Sequence, residues 1–277
     1  MRLLSISCVI MLAVLAPAQD SHVVPAAPTG GADPSNQGGK PNENAEANSS
    51  EKRIAAAGVA FTTRESIEAR DLFLKKPQGQ QVQFFSLLDA GNKFMTSGRF
   101  QESLEKFNEA ELIWGTYHEL LLSKGSALTQ LRDFKRAKDY FAKARGLYPD
   151  VPQIPFNQAQ VAFALKEFKD AETHFAAALN SQDKSFFLPY RRLAQYGQIL
   201  CIIKQGRMDE AKKAIEKFDA YDESPIYYYG LAAWHFEKGE AGVALQWMRD
   251  ARAAYDAQTT ALYEDGLKEL GWLFGAR

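Results

Sequence analysis

The sequence predicts an all-α chain, a right-handed superhelical solenoid of about five helix hairpins closed by a C-terminal helix. Three observations predict it. Small residues recur every 34 positions, in Ser103, Ala137 and Ala171 and again in Ala110, Ala144 and Ala178. Aromatic residues keep the same interval, in Phe100, Phe134 and Phe168 and in Phe107, Phe141 and Phe175. A fixed period of this length marks a stacked helical array rather than one globular core. Short turns then divide each unit into two helices, at Gly98-Arg99, Arg132-Asp133, Lys166-Glu167, Gly206-Arg207 and Gly239-Glu240. Glycine suits such turns because it accepts a positive φ.

The elements follow in chain order. Residues 1–18 read as an export signal. Arg2 supplies a positive start, Leu3 to Leu15 form an apolar run of 13 residues, and Ala16-Pro17-Ala18 gives a small-x-small pattern with cleavage after Ala18. The run is shorter than the ~20 apolar residues a bilayer span needs. An uncleaved anchor is the alternative. Gln19 and Asp20 follow the run where a lipid-bearing Cys would stand, and Cys8 lies inside it. The expected location is exported, periplasmic or extracellular.

Residues 19–50 are rich in Pro, Gly, Asn, Ser and Ala and hold no aromatic residue. Such a stretch buries too little apolar surface to offset ordering entropy, so it reads as a flexible linker. Asn48-Ser49-Ser50 matches a glycosylation sequon. Residues 51–83 form a helical extension. Its helix runs from about Arg64 to Leu74 with Ile67, Ala69, Leu72 and Leu74 on the apolar side. Thr63 or Ser66 caps it, Pro77 and Gly79 close it, and it covers the exposed end of the first repeat.

The array spans residues 84–255, with units starting near Phe84, His118, Pro152, Arg192 and Pro225. Pro149 ends the second helix of unit two, where its missing N–H stops propagation. Residues 256–277 form a capping helix, with Leu262, Leu267, Leu270, Leu273 and Phe274 at helical spacing. A terminal repeat needs such a cover for its apolar face.

With these residues in register, the chain resembles the tetratricopeptide repeat family. Unit one supplies Leu87, Gly91, Phe94, Ser103, Phe107 and Ala110 to the family pattern, and unit two supplies Leu121, Gly125, Leu128, Ala137, Phe141, Ala144 and Pro149. Unit three supplies Ala159, Ala171, Phe175 and Ala178, and unit five Tyr228, Leu231, Ala232, Ala244 and Ala251. Unit four fits worst, because Ile199 stands where a small residue belongs. In unit three, Pro155 is expected to delay the first helix. The resemblance covers roughly Phe84 to Ala254. Its physical basis is close helix approach: axes reach ~8–10 Å only where the crossing side chains are small.

Composition narrows the function. Lys and Arg total 33 against 34 Asp and Glu, a formal charge of −1, and no basic stripe is present. That argues against nucleic acid as a partner. After signal removal Cys201 is the only cysteine, so no intramolecular disulfide forms, and its setting in Ile199-Leu200-Cys201-Ile202-Ile203 predicts a buried, inert thiol. His22, His118, His174 and His235 show no ligand spacing, so no metal site is predicted. No phosphate loop, nucleophile elbow or paired-His motif occurs, and no cofactor or catalytic residue is assigned.

The resemblance implies that the first helices line a concave groove. In this sequence the groove residues are Phe85, Asp89, Asn92, Glu119, Ser126, Gln130, Phe156, Asn157, Gln160, Phe163, Tyr229 and Phe236. The subgroup that grips chaperone C-terminal carboxylates uses Lys and Arg there, and only Asn92 matches that set. The expected function is a non-catalytic, exported scaffold holding a peptide or protein partner in the groove. One alternative is a structural part of a cell-envelope assembly, docked through its convex face or ends. Another is an enzyme or enzyme subunit, which would need a joined cluster such as Asp89, His118 and Glu119.

Overall fold

The computed structural model describes residues 50–55, 61–181 and 186–273, and among them there is helix and no strand. The signal segment, residues 19–49 of the linker and Phe274 lie outside the described residues. No described helix is long and apolar enough to cross a membrane.

After a helical stretch at 50–55, the chain forms α1 (Arg64–Leu74) and then five hairpins. These are α2 (Gln78–Thr96) with α3 (Phe100–Trp114), α4 (His118–Gln130) with α5 (Phe134–Leu147), and α6 (Gln153–Ala164) with α7 (Phe168–Leu179). Then come α8 (Leu188–Lys204) with α9 (Met208–Ile215), α10 (Ile226–Glu237) with α11 (Ala241–Ala254), and the final helix α12 (Ala257–Glu269). Each first helix packs on its own second helix. Contacts also join α2 to α4, α4 to α6 and α8 to α10, so the first helices line one inner face.

One turn closes all five hairpins. Gly98, Gly206 and Gly239 have φ of 71°, 76° and 78°, while Arg132 and Lys166 hold the same conformation at 59° and 63°. In each turn the next amide reaches back five residues. Arg99 bonds Phe94, Asp133 bonds Leu128 and Glu167 bonds Ala162 at 2.9 Å each, Arg207 bonds Ile202 at 3.2 Å, and Glu240 bonds His235 at 2.9 Å. This is the Schellman bond, which satisfies a carbonyl the helix end would leave bare.

The small residues sit where helices meet. A Cβ added at Gly91 would lie 2.3 Å from the Phe107 ring, and one at Gly125 would lie 2.4 Å from the Phe141 ring. Ser103 donates to the Gly91 carbonyl at 2.9 Å across the same crossing. In the second half the contact moves to the next unit. Gly197 abuts Phe175 and Gly230 abuts Ile215, with an added Cβ 2.4 and 2.9 Å away. Ile199 is therefore no defect in unit four, because Gly197 supplies the close approach two residues earlier.

Several expectations change. Pro155 does not delay α6, which starts at Gln153. The proline falls in the first turn, where its missing N–H has no partner to lose. Gly79 does not close α1. It lies inside α2, and Pro77 is that helix's N-cap. Thr63 caps α1 by accepting from the Ser66 amide at 3.1 Å. The buried face of α1 is Ser66 and Phe73, while Leu72 is 65% exposed. Phe73 stacks on Trp114 with centroids 4.2 Å apart, and Thr63 donates to the Leu147 carbonyl at 3.0 Å. α1 thus packs on the first hairpin, and its N-cap residue also reaches the second. The last helix differs too. α12 touches α10 and α11 of the final hairpin, and it also runs across the inner face to α8.

Candidate functional site: the inner face and its occupant

Each end of the inner face carries a segment of the chain itself. At the first hairpin, Arg53 lies over the Phe85 ring at 4.5 Å and pairs with Asp89, with Nη1 2.8 Å from Oδ2. Beside it Asn92 donates to Glu119 Oε1 at 3.0 Å, and Ser123 donates to Asn92 Oδ1 at 3.2 Å. Glu119 is 8% exposed, and burial raises its carboxyl to about 7 against the pull of Arg53. His118 sits in the core between the Tyr117 and Tyr148 rings, and burial lowers its pKa to about 3. Asp89, His118 and Glu119 have separate partners, and no hydrogen bond or ion pair joins them among the described residues.

The middle of the face is built by α4 and α6. Ser126 and Asn157 are buried. Phe156 packs edge-on against Phe175 and Phe186, with centroids 6.0 and 5.8 Å away, so its ring belongs to the core as much as to the groove. Gln130, Gln160, Phe156 and Phe163 share the lining of one partly open cavity of about 140 Å³, with Leu262, Asp265 and Gly266 of α12 on its far side.

The far half of the face is where sequence reasoning places Tyr229 and Phe236 in an open groove, and α12 lies on Tyr229 while the residues after it cover Phe236. Thr260, Tyr263 and Leu267 are its buried stripe. Tyr229 donates to Glu264 Oε1 at 2.9 Å and stacks on Tyr263 with centroids 5.7 Å apart. Tyr196 donates to the Tyr263 carbonyl at 3.1 Å. A Cβ at Gly266 would stand 2.7 Å from Leu200, so glycine is what allows α12 to settle on α8. Beyond the helix, Trp272 stacks on Phe236 at 5.9 Å and lies under Lys204 at 5.3 Å.

The tip of α12 is held by the two turns that lack glycine. Arg132 reaches Glu269 with contacts of 3.3 and 3.5 Å. Lys166 donates to the Glu269 carbonyl and lies 3.4 Å from Oε1. A non-glycine residue in the left-handed region costs roughly 1 kcal/mol, and at both positions the side chain so placed binds the same carboxylate. Sequence reasoning misses Tyr263, Gly266, Glu269, Arg132 and Lys166 as inner-face residues. The available signal was the 260-263-267 stripe and the absence of glycine from two turns of five.

The described residues hold no group of His, Cys, Asp and Glu able to bind a metal ion. Cys201 is fully buried, and burial raises its thiol far above the ordinary range. What the inner face offers is a helix-sized trough with aromatic walls and a polar middle.

Comparison with known proteins agrees with this geometry. The family model for the tetratricopeptide repeat matches residues 122–186 and 156–225. No curated protein matches the chain. Among solved structures, MamA from Desulfovibrio magneticus RS-1, residue 41 to its end, is 20% identical, with a TM-score of 0.50 over 62% of this chain and 94% of that one. A tetratricopeptide repeat protein from Parabacteroides merdae ATCC 43184 is 15% identical, with a TM-score of 0.43 over 81% of this chain and 98% of that one. Five hairpins closed by one repeated turn, small residues at the helix crossings and the family match lead to one assignment: residues 122–225 are built of tetratricopeptide repeats.

Proposed function

We propose that the protein is a non-catalytic scaffold that holds an amphipathic helical segment of a protein partner on its inner face, in the seat α12 occupies in cis. The observation that carries this reading is α12 itself. A helix with one apolar stripe already fits the trough, its Tyr263 stacks on Tyr229, Trp272 just after it stacks on Phe236, and its acidic end meets Arg132 and Lys166. Helix-in-groove recognition uses anchors at this spacing. A partner segment with an aromatic anchor, a small residue three positions on and an acid three further would make the same contacts.

The link between α11 and α12 is only Tyr255 and Asp256. So short a tether gives α12 an effective concentration in the millimolar range, and a partner must outcompete it. The test uses a fluorescent peptide of residues 256–273 added to the full chain. Binding should be weak to the native chain and at least tenfold tighter to a Tyr263→Ala, Glu269→Ala variant, whose own helix is loosened. Equal, negligible binding to both would refute the seat. Export belongs to the same proposal, supported by the apolar run at Leu3 to Leu15 and the Ala16-Pro17-Ala18 pattern. Fractionation and N-terminal sequencing should find a mature chain outside the cytoplasm beginning at Gln19, and a cytoplasmic chain beginning at Met1 would overturn it.

A further inference from the structure

The cavity under α12 holds polar atoms that helix docking leaves unexplained. Its walls are mostly apolar, with Phe156, Phe163, Phe175, Leu200 and Leu262 among them. Thr129, Gln130, Arg132, Gln160, Asp265 and Glu269 interrupt that wall. Three of them have buried polar atoms with no hydrogen-bond partner: both amide atoms of Gln130, Oε1 of Gln160 and Oδ2 of Asp265. A buried polar atom without a partner costs ~1–3 kcal/mol, so an occupant that supplies partners to these three residues is favoured. Three of the four orphan atoms are acceptors. One of them belongs to a carboxylate whose other oxygen already takes Lys268 at 2.8 Å. Arg132, which lines the cavity, and Lys166 beside it are both paired with Glu269, the second carboxylate of the lining.

We propose that this cavity binds a small organic ammonium ion, an aromatic or branched aliphatic body carrying one protonated amine. The apolar body suits the Phe156, Phe163 and Leu200 wall. The ammonium brings three donors to Asp265, Gln160 and Gln130, and a positive charge that the aromatic faces also favour. The volume of about 140 Å³ is of the size that holds a single benzene-sized body. Water would satisfy the acceptors but leaves the apolar wall unmatched. Because α12 supplies Leu262 and Asp265, the ligand stabilises the seated form of that helix.

The test is calorimetric titration of the full chain, without peptide, using phenethylammonium, isoamylammonium and cyclohexylmethylammonium chlorides. The controls are 2-phenylethanol and 3-phenylpropionate. At least one ammonium should bind with one-to-one stoichiometry, at least tenfold tighter than the alcohol or the acid. Asp265→Asn should weaken it tenfold or more. Ala164→Leu, which adds bulk to the same lining, should block it, and this second variant serves if Asp265→Asn does not fold. The proposal is overturned if no ammonium binds at millimolar concentration, if the alcohol binds as tightly, or if both variants bind like the native chain. Those outcomes leave the helix-seat reading standing, since no partner segment enters the measurement.

Discussion

Replacing Gly125 with Ala isolates the physics that sets the repeat. The new Cβ would stand 2.4, 2.6 and 2.9 Å from three atoms of the Phe141 ring, far inside ordinary contact. Phe141 is fully buried, so the ring has no open direction in which to swing. Two effects oppose each other. Alanine gains up to ~1 kcal/mol over glycine in helix propensity, while an extra group forced into a packed crossing costs ~1–3 kcal/mol. With three ring atoms in the way, the cost belongs near the upper end. Gly146→Ala is the control, because a Cβ there meets nothing within 4 Å. Urea unfolding followed by far-ultraviolet circular dichroism should put Gly125→Ala about 2–3 kcal/mol below Gly146→Ala. Phe141→Leu in the Gly125→Ala background should recover part of the difference. If the two alanine variants are equally stable, the close crossing is not what the small residues are for.

Other outcomes follow from the same structure. The folded chain holds the Glu119 proton to about pH 7 while the unfolded chain releases it near 4.5, so stability falls as pH rises between those values. Glu119→Gln should flatten that slope and gain up to about 3 kcal/mol above pH 7, and an unchanged pH profile of the unfolding midpoint would contradict it. Arg132→Gly relieves a left-handed backbone but loses the Glu269 contact. It should therefore stabilise by ~1 kcal/mol in a Glu269→Ala background and by less in the native one. Equal effects in a double-mutant cycle would break the link between that turn and α12. Ala137→Leu, at a fully buried crossing, should cost ~1–3 kcal/mol by the same unfolding assay, and a loss near zero would count against the crossing.

The hairpins were legible because their cause is local and repeated. Through the first three units a small residue on the second helix, an aromatic near it and a Schellman turn after each first helix recur at one interval, and each contact spans few residues. The second-half crossings were less legible. Gly197 and Gly230 face the preceding unit rather than their own, so a frame built on units one and two points to Ile199 instead. The inner-face residues at Phe85, Asn92, Glu119 and Gln160 could be placed by position within the unit. Their covering could not, because the contacts of Arg53 with Asp89 and of Arg132 with Glu269 join residues 36 and 137 positions apart. Nothing in a periodic pattern encodes contacts at such distances. The apolar stripe of α12 says that the helix is covered on one side, and only the tertiary structure says by what.

The position of α12 on the inner face underlies both the proposed partner seat and the ammonium site. It is tested most directly by electron–electron distance measurement between nitroxides at Leu131→Cys and Lys268→Cys. Cys8 is replaced by Ser, and the buried Cys201 stays out of reach of the label. Because Arg132 and Lys166 hold Glu269, the two labels should give a single narrow distribution at the short end of the measurable range, and excess 256–273 peptide should shift part of it to long distances. A broad, long distribution in the native chain alone would mean that α12 leaves the inner face empty, contrary to the structure described here.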